Sequence, residues 1–250
     1  MKQRPHVLVV AGYDPTGGAG VLADIKTLEQ HKCYGMAVIT ANTEQTESNF
    51  YAPNWIDENI VFSQTDRLLE NYRFPMAKIG MIPSLDFAET LFEKLLAHNQ
   101  KIKIIWDPVL AASAGEVFMA QPRMEKFTEL LRKVYMLTPN IPEALQITGK
   151  TEVLDAARIL ASYTRIYLKG GHHKKTPGKD YLLHNGKIYP LNPKNKQPAF
   201  PKHGSGCVLT SALAANIAKG YPLLKACLRS KRYIEKVLSS NASLLGYHKR

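Results

Sequence analysis

Apolar residues follow two alternating rhythms along this chain. Short, nearly unbroken apolar runs at 7–11, 36–41, 76–80, 103–106, 134–137 and 165–168 predict strands buried on both faces. Between them, apolar residues recur at helical spacing over 20–31, over 57–72 (Ile60, Val61, Leu68, Leu69) and over 84–98 (Leu85, Ala88, Leu91, Phe92, Leu95, Leu96). This alternation predicts an α/β fold with a mostly parallel central sheet and helices on both faces. Residues 180–190 depart from it. The Asn185-Gly186 pair at their centre predicts a hairpin that adds antiparallel strands to one edge. The stretch 191–202 has three prolines and no period, which predicts an extended loop. Helices over about 206–219 and 222–245 then complete the fold. With no internal repeat, linker or domain boundary, residues 1–250 read as a single domain.

Composition narrows the function classes. A chain of 250 residues, 45% of them hydrophobic, can bury one large core. No run of about 18 apolar residues occurs, so no membrane partner is expected. Met1–His6 passes straight into Val7–Val10, a run too short for a signal peptide. Cys33, Cys207 and Cys227 have neither disulfide nor metal spacing, so reduced thiols and a cytoplasmic location are expected. Charge is lopsided. Residues 1–125 carry 11 Lys and Arg against 15 Asp and Glu, a net −4; residues 126–250 carry 22 against 6, a net +16. The basic half suits solvated lysines or a small anionic ligand. No nucleic-acid partner is expected, because no binding module or Arg-rich aromatic stretch accompanies the charge.

Candidate chemistry lies at the ends of the predicted strands, where ligands bind in open α/β sheets. His203-Gly204-Ser205-Gly206-Cys207 opens a helix carrying the apolar run from Val208 to Ala218, and a helix N-terminus fed by a Gly-rich turn favours anions. Cys207 at that terminus has its thiolate favoured, or is simply a small buried residue. A second Gly-rich loop, Ala11–Gly20, follows the first strand and matches neither a dinucleotide fingerprint nor a P-loop. Its glycines admit close approach of a ligand or of a neighbouring helix. Asp24, about a turn into the next helix, is either a ligand contact beneath Gly12 or an exposed helix carboxylate. Gln45 lies in the polar run beyond the second strand, and Met81 follows the strand at 76–80, where it covers a flat ring or packs into the core. Asp107 ends the strand at 103–106 and offers a carboxylate to hydrated Mg²⁺. Asn140 and Glu143 form either a capping box or a water-mediated Mg²⁺ and phosphate site. Lys169, before Gly170-Gly171-His172, supplies a point charge to a nucleotide phosphate or is a solvated turn lysine.

Taken in order from Ala11 to Cys207, these segments resemble the hydroxymethylpyrimidine/phosphomethylpyrimidine kinase family of thiamin biosynthesis, in the ribokinase superfamily. The other matching segments are Tyr34–Ala41, Lys78–Met81, Asp107-Pro108-Val109, Thr138–Ala144 and Lys169–His172. The resemblance implies a ribokinase-like fold and transfer of the ATP γ-phosphoryl to 4-amino-5-hydroxymethyl-2-methylpyrimidine, then to its monophosphate, with Mg²⁺. It implies that Gly12, Asp24, Gln45, Met81 and Val109 hold the pyrimidine. Gly204, Ser205, Gly206 and Cys207 would form the anion hole, with Cys207 where related sugar kinases carry an Asp base. Asn140, Glu143 and Asp107 would organise Mg²⁺ and phosphates, Lys169 would touch ATP, and the protein would be a homodimer. The chain departs from the family at Ser205 (usually Thr), at Lys202, in the polar segment Asn42-Thr43-Glu44 and in the basic run His172–Lys175. Pyridoxine and pyridoxal kinases share the fold and, in some members, the Cys motif, so they stand as the alternative.

Overall fold

The structure is a computed structural model that describes residues 3–111, 118, 122–171, 176–194 and 198–248. The basic run 172–175 therefore lies outside the described residues. The chain begins β1 (His6–Tyr13), α1 (Gly20–Gln30), β2 (Tyr34–Gln45), β3 (Phe50–Trp55), α2 (Glu58–Asn71), β4 (Met76–Ile79) and α3 (Leu85–His98). It continues β5 (Lys103–Trp106), α4 (Met124–Lys133), β6 (Met136–Leu137), α5 (Ile141–Thr148), α6 (Val153–Ala161) and β7 (Arg165–Leu168). The hairpin β8 (Asp180–His184) and β9 (Lys187–Leu191) precedes α7 (Ser205–Ala218) and α8 (Leu223–Leu238).

Among the described residues these strands form one sheet in the order β3-β2-β1-β4-β5-β6-β7-β8-β9. The six from β2 to β7 are parallel, as the alternating pattern predicts. Each central strand divides its side chains between two cores. On β1, Val7, Val9 and Ala11 pack with α1, α7 and α8, while Leu8 and Val10 pack with the core built on α2 to α6. Burial on both faces is why these strands read as continuous apolar runs. Asn185 and Gly186 both have positive φ, as the hairpin turn requires.

The structure departs from the expectation in several places. β2 runs on through Gln45, and β3 pairs with it antiparallel, so both edges of the sheet are antiparallel. Burial alternates along Ala41 to Glu44, a strand rhythm concealed by its polar composition. β6 is only two residues long, because Val134 still bonds back to Leu131 at the end of α4. α8 stops at Leu238 rather than 245. Ser239 and Ser240 donate to the helix carbonyls of Glu235 and Val237, and the Asn241 carboxamide takes the Ser243 N–H, local bonds that replace the helical pattern. Finally, Ile60 is exposed on α2, outside the apolar face formed by Val61, Thr65 and Leu69. Among the described residues no helix is long and apolar enough to cross a membrane.

Candidate active site

The sheet order turns at β1: β2 lies on one side and β4 on the other, which makes a switch point where the carboxyl ends of β1 and β4 open into a crevice. Gly12 and Met81 flank it. A Cβ on Gly12 would lie 3.1 Å from the Met81 Sδ, so the absence of a side chain at 12 lets the thioether close over the backbone. Thr40 donates to the Met81 carbonyl at 2.6 Å, tying this corner to β2. At the far end of β2, the Gln45 amide donates to Thr43 Oγ1 at 2.8 Å, and Thr43 donates to the Tyr13 carbonyl at 2.7 Å. Glu44 is exposed on the opposite side of that strand and accepts a hydrogen bond from Asn54.

The two Gly-rich loops meet here, although their first residues, Ala11 and His203, are far apart in the sequence. Gly204 is the N-cap of α7 with φ 69°, and a Cβ there would overlap the Gly18 carbonyl. Only glycine meets both conditions without strain. The Gly20 backbone faces the Cys207 thiol. Asp14 is buried between the loops and accepts from the Thr16 N–H at 2.9 Å, the Ala19 N–H at 2.7 Å and His203 Nε2 at 3.0 Å. Burial would raise the Asp14 carboxyl, but these hydrogen bonds outweigh it and hold it at about 2.

Beneath the loops lie two buried charged groups. Lys78, on the α1–α7 face of β4, donates to Asp24 at 2.7 Å, and Ser211 of α7 donates to the other Asp24 oxygen at 2.6 Å. Burial would lower the Lys78 ammonium, but Asp24 more than offsets this and keeps it charged. The second group is Lys169, whose Nζ lies 2.6 Å from Asp107 and 3.8 Å from Glu143. A Cβ on Gly206 would sit 3.2 Å from the same Nζ, so this ammonium borders the first turn of α7. Burial works against the Lys169 charge, and Asp107 and Glu143 restore it. Burial pushes the Glu143 carboxyl up to about 7 against the pull of Lys169. The arrangement combines a helix N-terminus, a Gly-rich turn and a buried cation, which is what a transferring phosphoryl group needs for charge stabilisation.

Residues 14–249 match the model of the phosphomethylpyrimidine kinase family. The chain belongs to that family. A hydroxymethylpyrimidine/phosphomethylpyrimidine kinase of Saccharomyces cerevisiae is 32% identical over 255 residues, which cover 94% of this chain and 46% of the yeast protein. The chain thus spans about half the length of such yeast relatives. The phosphomethylpyrimidine kinase of Clostridium difficile superposes with a TM-score of 0.78 at 28% identity, over 92% of this chain and 98% of that one. A Staphylococcus aureus pyridoxal kinase in complex with pyridoxal superposes with a TM-score of 0.84 at 24% identity, over 95% of this chain and 89% of that one. That likeness bears on the fold alone, which is ribokinase-like.

Within this family's fold the expected residues separate into three groups. Gly12 and Met81 meet at the crevice, Gly206 in the first turn of α7 borders Lys169, and Lys169 in turn faces Asp107 and Glu143. Val109 is half-buried just beyond Asp107, its N–H donating to the Asp107 carbonyl. Asp24 is corrected: it is fully buried with both oxygens taken by Lys78 and Ser211, and so is neither an exposed carboxylate nor presented to a ligand in this structure. Gln45 lies within β2, not in a loop after it. Asn140 and Glu143 do form a capping box, with bonds of 2.8 and 2.6 Å, while the Glu143 side chain also faces Lys169. Lys169 is buried, not a solvated turn lysine. The favoured Cys207 thiolate is also corrected, because burial pushes this thiol up to about 11, past the help of Lys78. Sequence reasoning missed Asp14, Lys78 and the reach of His203. Lys78 did carry a signal, since a lone lysine inside a strand buried on both faces must have a partner.

Two predictions test these assignments. Lys78→Met strands the Asp24 carboxylate and should cost about 3–5 kcal/mol in urea unfolding, whereas Lys78→Met with Asp24→Leu should recover most of it. The depressed Asp14 carboxyl contributes about 2 kcal/mol of stability, present above its unfolded value near 3.8 and lost as pH falls toward 2. Asp14→Asn should therefore unfold at lower urea than the parent at about pH 6, with the gap closing below about pH 3. A gap unchanged by acid would mean that the carboxylate charge is not its source.

Proposed function

We propose that this protein transfers the γ-phosphoryl group of ATP to the hydroxymethyl group of 4-amino-5-hydroxymethyl-2-methylpyrimidine and then to the resulting monophosphate. The observation that carries the reading is the juxtaposition of the α7 N-terminus with the Lys169 ammonium, across the crevice from Gly12 and Met81. The pyrimidine lies against the corner that Gly12 and Met81 form, with Val109 and Gln45 at its edges and the Lys78–Asp24 pair buried beneath. The backbone N–H groups of Gly204 to Cys207 receive the equatorial oxygens of the transferring phosphoryl, and Lys169 neutralises the nucleotide phosphates.

Asp107 and Glu143, whose carboxylates both face the Lys169 ammonium, would hold Mg²⁺, which takes one or two carboxylates and keeps waters and phosphate oxygens. When bound, Mg²⁺ neutralises charge on the β- and γ-phosphates. Cys207 is a neutral thiol at physiological pH and serves as a hydrogen-bonding wall rather than a preformed base. A loose phosphoryl-transfer transition state tolerates this, since the alcohol need lose its proton only late. A cytoplasmic homodimer completes the reading; Tyr51 and Trp55 stand exposed on the β3 edge, where a second copy would cover them.

Steady-state assays with ATP–Mg²⁺ and each alcohol test the substrate. The specificity constant for the hydroxymethylpyrimidine should exceed that for pyridoxine, and the reverse order overturns the choice. Gly206→Val pushes a side chain toward Lys169, so it should lower kcat by at least about 10²-fold while calorimetry finds pyrimidine binding nearly unchanged. Cys207→Ala should lose only about 10-fold, and a loss near 10⁴-fold would restore the thiol as the essential base.

A further inference from the structure

Asp14 and His203 belong to the two glycine-rich motifs, yet neither has a part in the contacts proposed above. Asp14 Oδ2 lies 3.0 Å from His203 Nε2, both side chains almost fully buried. The carboxylate is ionised and can only accept, so Nε2 carries the proton. The same carboxylate takes the Ala19 N–H and both the N–H and hydroxyl of Thr16, which shape the 14–19 turn. A Cβ on Gly18 would lie 2.9 Å from His203 Cδ2, so the imidazole rests directly on the substrate-side loop. His203 is also held from behind. Its N–H donates to the Leu244 carbonyl, and neighbouring Lys202 donates to the carbonyls of Asn241 and Ser243 at 2.6 Å each. The segment after α8 thus straps the 202–203 backbone in place while Asp14 grips its side chain.

We propose that Asp14 and His203 are positioning residues: their hydrogen bond locks the loop that holds the alcohol to the turn that holds the phosphoryl group, and so sets the distance between the reacting atoms. This rests on the phosphoryl-transfer reading. Each loop can bind its own ligand without the other. Only the reaction needs both in one frame, and a displacement of about 1 Å between reactants can cost about 10²-fold in rate.

The lock therefore acts on kcat and not on KM. His203→Ala should lower kcat by about 10²-fold with the KM for ATP and for the pyrimidine each within about threefold. His203→Gln, whose amide nitrogen can reach the position of Nε2, should restore most of the rate. Independently of turnover, hydrogen–deuterium exchange of the 14–20 amides should speed up in His203→Ala and return toward the parent in His203→Gln, with the urea midpoint falling in the first variant and recovering in the second as the Asp14 hydrogen bond is lost and restored. Unchanged kcat in His203→Ala, a loss confined to KM, or amides protected as in the parent would each overturn the lock. If His203→Ala does not fold, the Gln variant and Asp14→Asn carry the same two readouts. Failure of the parent protein to phosphorylate any pyrimidine alcohol would sink the functional reading instead, while the exchange experiment would still decide whether the two loops are locked.

Discussion

At the carboxyl end of β1, two backbone segments approach so closely that no side chain fits between them. A Cβ on Gly204 would overlap the Gly18 carbonyl and lie 2.5 Å from the Ala19 Cα. The contact joins the beginning of the chain to its last third, and much of the architecture serves it. α1 leaves the first loop, α7 leaves the second, and the two helices pack side by side on one face of the sheet through Ser211–Asp24 and the Cys33–Ala215 contact. A side chain at 204 would run into the Gly18 carbonyl and push the two turns apart. Close packing leaves little slack for such a shift.

Charge inside the protein is handled by pairing. Lys78 with Asp24, Lys169 with Asp107 and Glu143, and Lys231 with Asp180 are all buried. Each ammonium has a carboxylate within hydrogen-bond distance that offsets the loss of water. The third pair reaches the site indirectly. Asp180 also accepts from the Gly170 N–H and the Tyr167 hydroxyl, so α8 and the β8 edge anchor the backbone just beyond Lys169. The lopsided net charge of the two halves therefore says little about partners. Individual lysines matter by where their ammonium is buried, and that is not a property of composition.

The parallel strands and the helices between them were legible because each repeats one physical pattern over several residues. β1 is apolar on both faces, and α3 carries its buried stripe at Ala88, Leu91, Phe92 and Leu95. The failures share a cause as well. The second half of β2 is polar, and β3 is a half-exposed edge strand interrupted by Pro53 and Asn54; both are stabilised by ladder bonds that leave little imprint on hydropathy. The end of α8 was set by serine and asparagine side chains that bond to nearby backbone. In the site, Gly12, Met81, Lys169 and the 203–207 turn could be placed because they end strands or open a helix. Asp14 could not, since its role depends on a histidine 189 residues away.

The amino-acid sequence alone determined the family, the α/β layering and the two glycine-rich turns. Periodicity and backbone permissiveness are local properties that any reading of the chain can recover. Tertiary structure alone decided which charges are neutralised. It turned Asp24 from a ligand contact into the buried partner of Lys78, and Lys169 from a turn lysine into a cation at the head of α7. It also reversed the expected state of Cys207: a helix N-terminus favours the thiolate, but burial disfavours it more strongly. Desolvation depends on everything packed around a group, including atoms hundreds of residues away, so it emerges only when the chain has folded.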